Sequence, residues 1–288
     1  MPSLITDFFI SENHKKHPVI FSIGVVLLII IINKIPLGVF LSSYELPDYY
    51  TEKVENIIIN CVVIFSIIKL MYSKLISINL KKEINFRTFV FYIPLIAYIF
   101  VFAGQGFNTF LTIDFNLIPL KKVLIYSTEV FTAALLEEVL FRGLILGLLL
   151  AKYYQTKNGI LKSVVLSGLI FGSVHIINII TKPYGITTGG VFNQIYAASC
   201  LGVMYAATYV KTRNIIFLAL LHFASNFFAG IGELLPQEEI VDTIVKEKST
   251  IEIILSHTFR VIIFGIPLLI GLFLTSKTNE NDVKKLIA

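Results

Sequence analysis

Within the apolar run LLEEVLFRGLILG, Leu135 to Gly147, two adjacent carboxylates, Glu137 and Glu138, precede an arginine, Arg142. A charged side chain near the middle of a membrane helix costs on the order of 2.5 to 3.5 kcal/mol, so these charges need a reason. On helical spacing Glu138 and Arg142 share a side, in the acid-before-base order that favours pairing, while Glu137 points about 100° away. Glu137 is then the freer carboxylate, or Glu138 is if neighbouring helices intervene. Two further apolar segments carry costly polar residues. FGSVH sets Phe171 and His175 one turn apart on a shared face, and LHFASN does the same for His222 and Asn226. These residue types suit acid–base hydrolysis. A carboxylate can take a proton from water, histidine is protonatable near neutral pH, and an Asn amide and a His N–H can donate to the oxyanion of a tetrahedral intermediate. No GxSxG occurs, Ser173 lies off the His175 face, and neither Cys61 nor Cys200 has a partner motif, so water is the expected attacking species. A structural ion pair would explain Glu138 and Arg142, but it does not require Glu137.

The elements that must position these groups are membrane helices. The chain has 288 residues, 56% of them hydrophobic and 15% charged, and a mean hydropathy of +0.81, outside the range of soluble domains. Long apolar runs predict all-α, polytopic architecture with about eight spans: residues 18–32, 54–72, 89–107, 121–150, 160–180, 191–210, 215–231 and 251–274. Small residues at four-residue spacing (Gly143 and Gly147, Gly168 and Gly172, then Ala198, Gly202 and Ala206) mark spans 4 to 7 as an inner bundle, since small side chains let helices approach closely in lipid. Lys and Arg are biased about two to one toward alternate connections, which predicts a multi-pass cell-membrane protein with both termini cytoplasmic. The net charge of +5 is spread over loops, so nothing points to nucleic acid. Cys61 and Cys200 read as small buried hydrophobes rather than a disulfide.

The three motifs together resemble the EExxxR, FxxxH and HxxxN/D signatures of the CPBP family, the CAAX prenyl endopeptidases and bacteriocin-processing or immunity proteins also called Abi. The resemblance covers about residues 121–232, flanked by 1–120 with spans 1 to 3 and by 233–288 with an acidic loop, span 8 and a tail. It implies an intramembrane endopeptidase that cuts a membrane-associated, prenylated or leader peptide, with the peptide or a small membrane protein and the bilayer as its partners. By position, Glu137 would activate water with His175 helping to hold it. Glu138 and Arg142, with Phe171, would organise the site, and His222 with Asn226 would stabilise the oxyanion. No cofactor is expected. Zinc on Glu137, His175 and His222 is the alternative, although no HExxH occurs. A non-catalytic regulator or immunity protein, acting by binding a peptide or a membrane partner, is the competing reading of the same fold.

Other polar residues have plainer expectations. Glu129 lies about 12 Å along the helix from Glu137, near the interface. Arg260 in span 8 is expected on a headgroup or a structural contact, Asn178 close to His175 as a supporting polar group, His14 and His17 at the surface, and His257 as structural. The acidic segment from Gly230 to Thr250 reads as a solvated loop.

Overall fold

A computed structural model of the chain describes residues 16–33, 48–70, 86–181, 188–235 and 250–287. The N-terminal segment with His14, Lys74, Lys81 and Lys82 of the 73–88 loop, and Glu238, Glu239, Asp242 and Glu247 of the acidic segment lie outside these residues, as does the side chain of His257. Among the described residues the fold is helical, with no strand. The helices are α1 (Pro18–Ile32), α2 (Asp48–Leu70), α3 (Ile93–Phe102), α4 (Gly104–Thr112), α5 (Leu120–Glu138), α6 (Leu146–Tyr153), α7 (Gly159–Ser173), α8 (Thr188–Thr212), α9 (Ile215–Ala229), α10 (Thr250–Ser276) and α11 (Glu280–Ile287).

Among the described residues, two helical stretches are long and apolar enough to cross a membrane, Gly159–Ile180 and Thr258–Ser276. Val90–Phe102 and Gly106–Thr112 would form a third were they not bent by 67°. The bend falls at Ala103-Gly104-Gln105-Gly106, where two glycines weaken the helix. The expected third span is therefore sharply bent, with the geometry of a broken span or a re-entrant loop. The helix holding the glutamate pair runs on from α5 to α6, but its charged residues keep it below the apolar threshold by composition. Large apolar side chains such as Leu27, Val62, Phe65, Phe100, Leu269 and Phe273 point outward along several helices. On a soluble protein that much exposed apolar surface would drive aggregation.

The centre of the molecule is the stretch from Val139 to Leu150, which is buried on every side. A helix apolar all round is one enclosed by others. Its first part, Val139–Ile145, is π-helical and connects α5 to α6. Helix α8 lies between α7 and α10, and α5 lies against both α9 and α2. The small-residue spacing locates one of these seams. A Cβ on Gly172 would sit 2.7 Å from Ile195 O and Ser199 N, one on Gly168 2.7 Å from Val203 N, and one on Gly202 2.9 Å from the Cα of Gly168. The second seam lies outside the expected bundle of spans 4 to 7. A Cβ on Gly271 of α10 would meet Met204 N at 2.9 Å, so span 8 packs on α8 as fully as span 5 does. Gly271 has no glycine or alanine four residues away and so falls outside the Gly/Ala spacing that marked the other seam. Cys200 is buried as expected, whereas Cys61 faces outward.

Candidate active site

Three elements bring the motif residues together. Helix α5 ends at Glu138, and the π turn that follows carries Arg142. Helix α7 tightens into a 3-10 turn, Val174–Ile177, that holds His175. Helix α9 is aimed by its N-cap, where the Asn214 side chain accepts the Phe217 N–H at 2.9 Å, and it presents His222 two turns later. π-Helical turns recur at functional sites, and here one starts at the residue after the glutamate pair.

The two glutamates have different surroundings. Glu138 is fully buried, and Arg142 Nη1 lies 3.2 Å from its Oε1. That contact is a charge pair without hydrogen-bond geometry, and none of the three guanidinium nitrogens has a hydrogen-bond partner. The guanidinium instead lies over two rings, 4.4 Å from the centroid of Phe171 and 5.0 Å from that of Tyr205. His222 Nδ1 is 2.8 Å from the same Glu138 oxygen. With Glu138 ionised its oxygen can only accept, which makes an Nδ1–H the donor of this contact. Its other nitrogen, Nε2, is 3.5 Å from Glu137 Oε2. His222 thus bridges the pair. The Glu137 side chain is 35% exposed and lines the cavities that Glu138 does not reach. This decides which carboxylate is available to a reactant.

The larger cavity holds about 510 Å³ and is lined by Glu137, Arg142, Phe171, His175, His222 and Asn226, so every motif residue except Glu138 borders one space. Phe171 stands between the histidines, its ring centroid 5.7 Å from His175 and 6.1 Å from His222. Nδ1 of His175 is buried and has no hydrogen-bond partner. Tyr205, Asn193, Gln194 and Arg260 also line this cavity, and sequence reasoning gave none of them this place. Tyr205 and Gln194 carry no motif, being single polar positions on a helix marked only by small residues. Arg260, expected at a headgroup or structural contact, borders the cavity instead. Asn178 donates to Gln194 Oε1 at 2.8 Å, which makes it a support of that wall. Among the described residues no three His, Cys, Asp or Glu side chains gather closely enough to hold a metal ion.

Residues 119–228 match the family model described as type II CAAX prenyl endopeptidase, Rce1-like. This segment is an Rce1-like domain of the CPBP family. The match spans α5 to α9 and includes every motif residue from Glu137 to Asn226. The Rce1-like family is one of endopeptidases, and together with the outward-facing apolar helices it marks the chain as a membrane protein. Neither curated proteins nor solved structures give a significant match.

A second polar cluster lies around Glu129, at the middle of α5. Lys53 Nζ is 2.6 Å from Glu129 Oε2 and 3.0 Å from Glu233 Oε2, and the Asn56 amide donates to Glu129 Oε1 at 2.8 Å. Lys122 donates to Leu234 O at 3.0 Å. Burial alone would lower the Lys53 ammonium, but the hydrogen bonds to Glu129 and Glu233 outweigh it and push the group well up. Burial also raises the Tyr49 phenol beside it. The charged groups of this cluster find partners within it, the Tyr49 hydroxyl alone among its named groups lacking one, and no motif residue takes part.

Proposed function

We propose that the chain is an intramembrane endopeptidase that hydrolyses a membrane-associated peptide with water activated by Glu137. The observation that carries the reading is the division within the glutamate pair: Glu138 is sealed and bound to Arg142 and His222, and Glu137 faces the cavity. Glu137 takes a proton from water, and the oxygen attacks the peptide carbonyl carbon. The carbonyl π electrons move to its oxygen, next to the Asn226 amide. Collapse of the intermediate breaks the C–N bond, and the departing nitrogen receives the proton from Glu137 directly or by way of His222 Nε2. Glu138 fixes the ring that makes this relay, and Arg142 balances the charge of Glu138 in a dry setting. His175 Nδ1 is placed to hold the water. In this reading the attacking water is activated by a carboxylate and not by a metal, in keeping with the donor arrangement.

The architecture is read as eight spans in the cell membrane with both termini cytoplasmic. Spans with charged faces, such as α5, are sheltered by their neighbours. The family's description makes a prenylated C-terminal peptide the first substrate to try, with leader peptides next. The test compares peptides in membranes that contain the wild-type chain or Glu137→Gln. A fragment released only by the wild type supports the reading, and identical peptide profiles reject it. Full activity after chelation, with no stoichiometric zinc in the purified protein, is the expected result of the metal test.

A further inference from the structure

Glu137 and His175 belong to the wall between two cavities. The first is the 510 Å³ space described above, whose far side carries aromatic rings of Tyr98, Phe102 and Phe264 together with Arg260. The second holds about 360 Å³ between α1, α2, α5 and the 3-10 turn of His175, and it also reaches Glu137, Phe171, His175 and Gln194. We propose that this second cavity is the water port of the site, delivering water to Glu137 from the side away from the peptide. The inference rests on the endopeptidase reading, because only a hydrolase needs such a supply.

The chemistry of the two linings supports the assignment. Four amide side chains border the smaller cavity, Asn33, Asn60, Asn178 and Gln194. Water remains in a cavity when it finds two to four polar partners, and at about 30 Å³ per molecule the space has room for on the order of ten. The amides run from the surface to the site. Asn33 is exposed at the end of α1, Asn60 is buried and donates to Thr132 Oγ1 at 3.4 Å, and Asn178 donates to Gln194 on the shared wall. At the inner end, the buried Nδ1 of His175 has no protein partner. The larger cavity also carries amides, Asn193, Gln194 and Asn226, but adds what a peptide needs: rings to pack against and the cationic side chain of Arg260. A peptide bound there covers Glu137 from that side, so its attacking water must come through another opening. None of the family's motif positions includes Asn33, Asn60 or Gln194.

The test uses Ala133→Cys, which places a thiol on the lining of the second cavity outside the machinery, in a Cys61→Ser, Cys200→Ser background. Ala197→Cys does the same for the first cavity. The full chain is reconstituted in phosphatidylcholine vesicles with a farnesylated C-terminal peptide as probe, and a small cationic methanethiosulfonate is the label. Each variant is assayed before and after labelling, so folding is controlled within one sample. The thiol at 133 is expected to react whether or not peptide is present, and its labelling is expected to lower kcat about tenfold or more with KM unchanged. The thiol at 197 is expected to be protected by peptide, and its labelling to raise KM. A thiol at 133 that does not react, that peptide protects, or whose labelling spares kcat or moves KM as much as kcat, overturns the port. Absence of hydrolysis by the unlabelled wild type against this peptide and against membrane peptides overturns the endopeptidase reading itself. That failure is told apart by a thiol at 133 that still reacts.

Discussion

Two stretches of α5, its middle and its C-terminal end, carry similar chemistry with opposite outcomes. At one, mid-helix, Glu129 is held by Lys53 and Asn56, and Glu233 completes a cluster in which charge meets charge at hydrogen-bond distance. At the other, Glu137 and Glu138 share one histidine, the arginine meets rings in place of acceptors, and Glu138 Oε2, the Arg142 nitrogens and His175 Nδ1 lack hydrogen-bond partners. Buried polar groups are ordinarily satisfied, so an unsatisfied set beside a cavity marks a place built for something else to bind. The first cluster holds α2 and the end of α9 onto α5. The second holds reactive groups ready around a space.

That contrast can be broken by mutation, starting where the effect should be greatest. His222→Gln keeps an N–H for Glu138 but loses the proton relay, and hydrolysis should fall by about 10² to 10⁴-fold with the melting profile little changed. A variant with nearly full activity would return His222 to a structural role. Arg142→Met removes the cation nearest Glu138, and unfolding measured in detergent should show a loss of about 3 to 5 kcal/mol. If the loss is below about 1 kcal/mol, Glu138 is not carrying a buried charge. Gly172→Val tests the seam that positions His175. Its Cβ would meet Ile195 O and Ser199 N at 2.7 Å, and a destabilisation of about 1 to 3 kcal/mol is expected from overpacking.

The smallest effects belong to the first cluster. Lys53→Met should cost about 1 to 2 kcal/mol and leave the hydrolytic rate constant alone. Its pH dependence has a definite sign. The folded-state pKa of Lys53 lies above the unfolded value, so its stabilisation is fully present below about pH 10 and is lost as pH rises through the folded value. Chemical denaturation at pH 8 and at pH 11 should therefore show a wild-type decline that Lys53→Met lacks. A parallel decline in both proteins would remove the cluster's electrostatic role.

Much of the site's composition was legible in the sequence because charges in apolar helices are conspicuous. The spacing of Glu138 and Arg142 put them on one side, and the helices set them 3.2 Å apart. Which glutamate met the cavity was not legible, since that depends on where α9 lies. Exposure resolves the question, since Glu137 borders the cavity while Glu138 is sealed. The π turn was invisible because Val139–Ile145 has the same apolar pattern in either hydrogen-bond register. Tyr205 and Gln194 sit among the small residues that read as packing, and Arg260 came to the cavity only because α10 joins α8 through an isolated glycine. The bend after α3 was written in Gly104 and Gly106, yet the apolar run around them read as one span. Pattern therefore located costly residues well and helix neighbours poorly, because neighbour choice is set by a few close contacts with no period.

The most direct measurement compares two glutamates of the same helix, one at its middle and one at its C-terminal end. Glu129→Gln and Glu137→Gln each replace one carboxylate by its amide, and both can be purified and assayed against one membrane-associated peptide under one set of conditions. The rate of peptide-bond hydrolysis should be near wild type for Glu129→Gln and about 10² to 10⁴-fold lower for Glu137→Gln, with both proteins folded. Equal rates in the two variants, whether both retained or both lost, would contradict the assignment of Glu137 as the base.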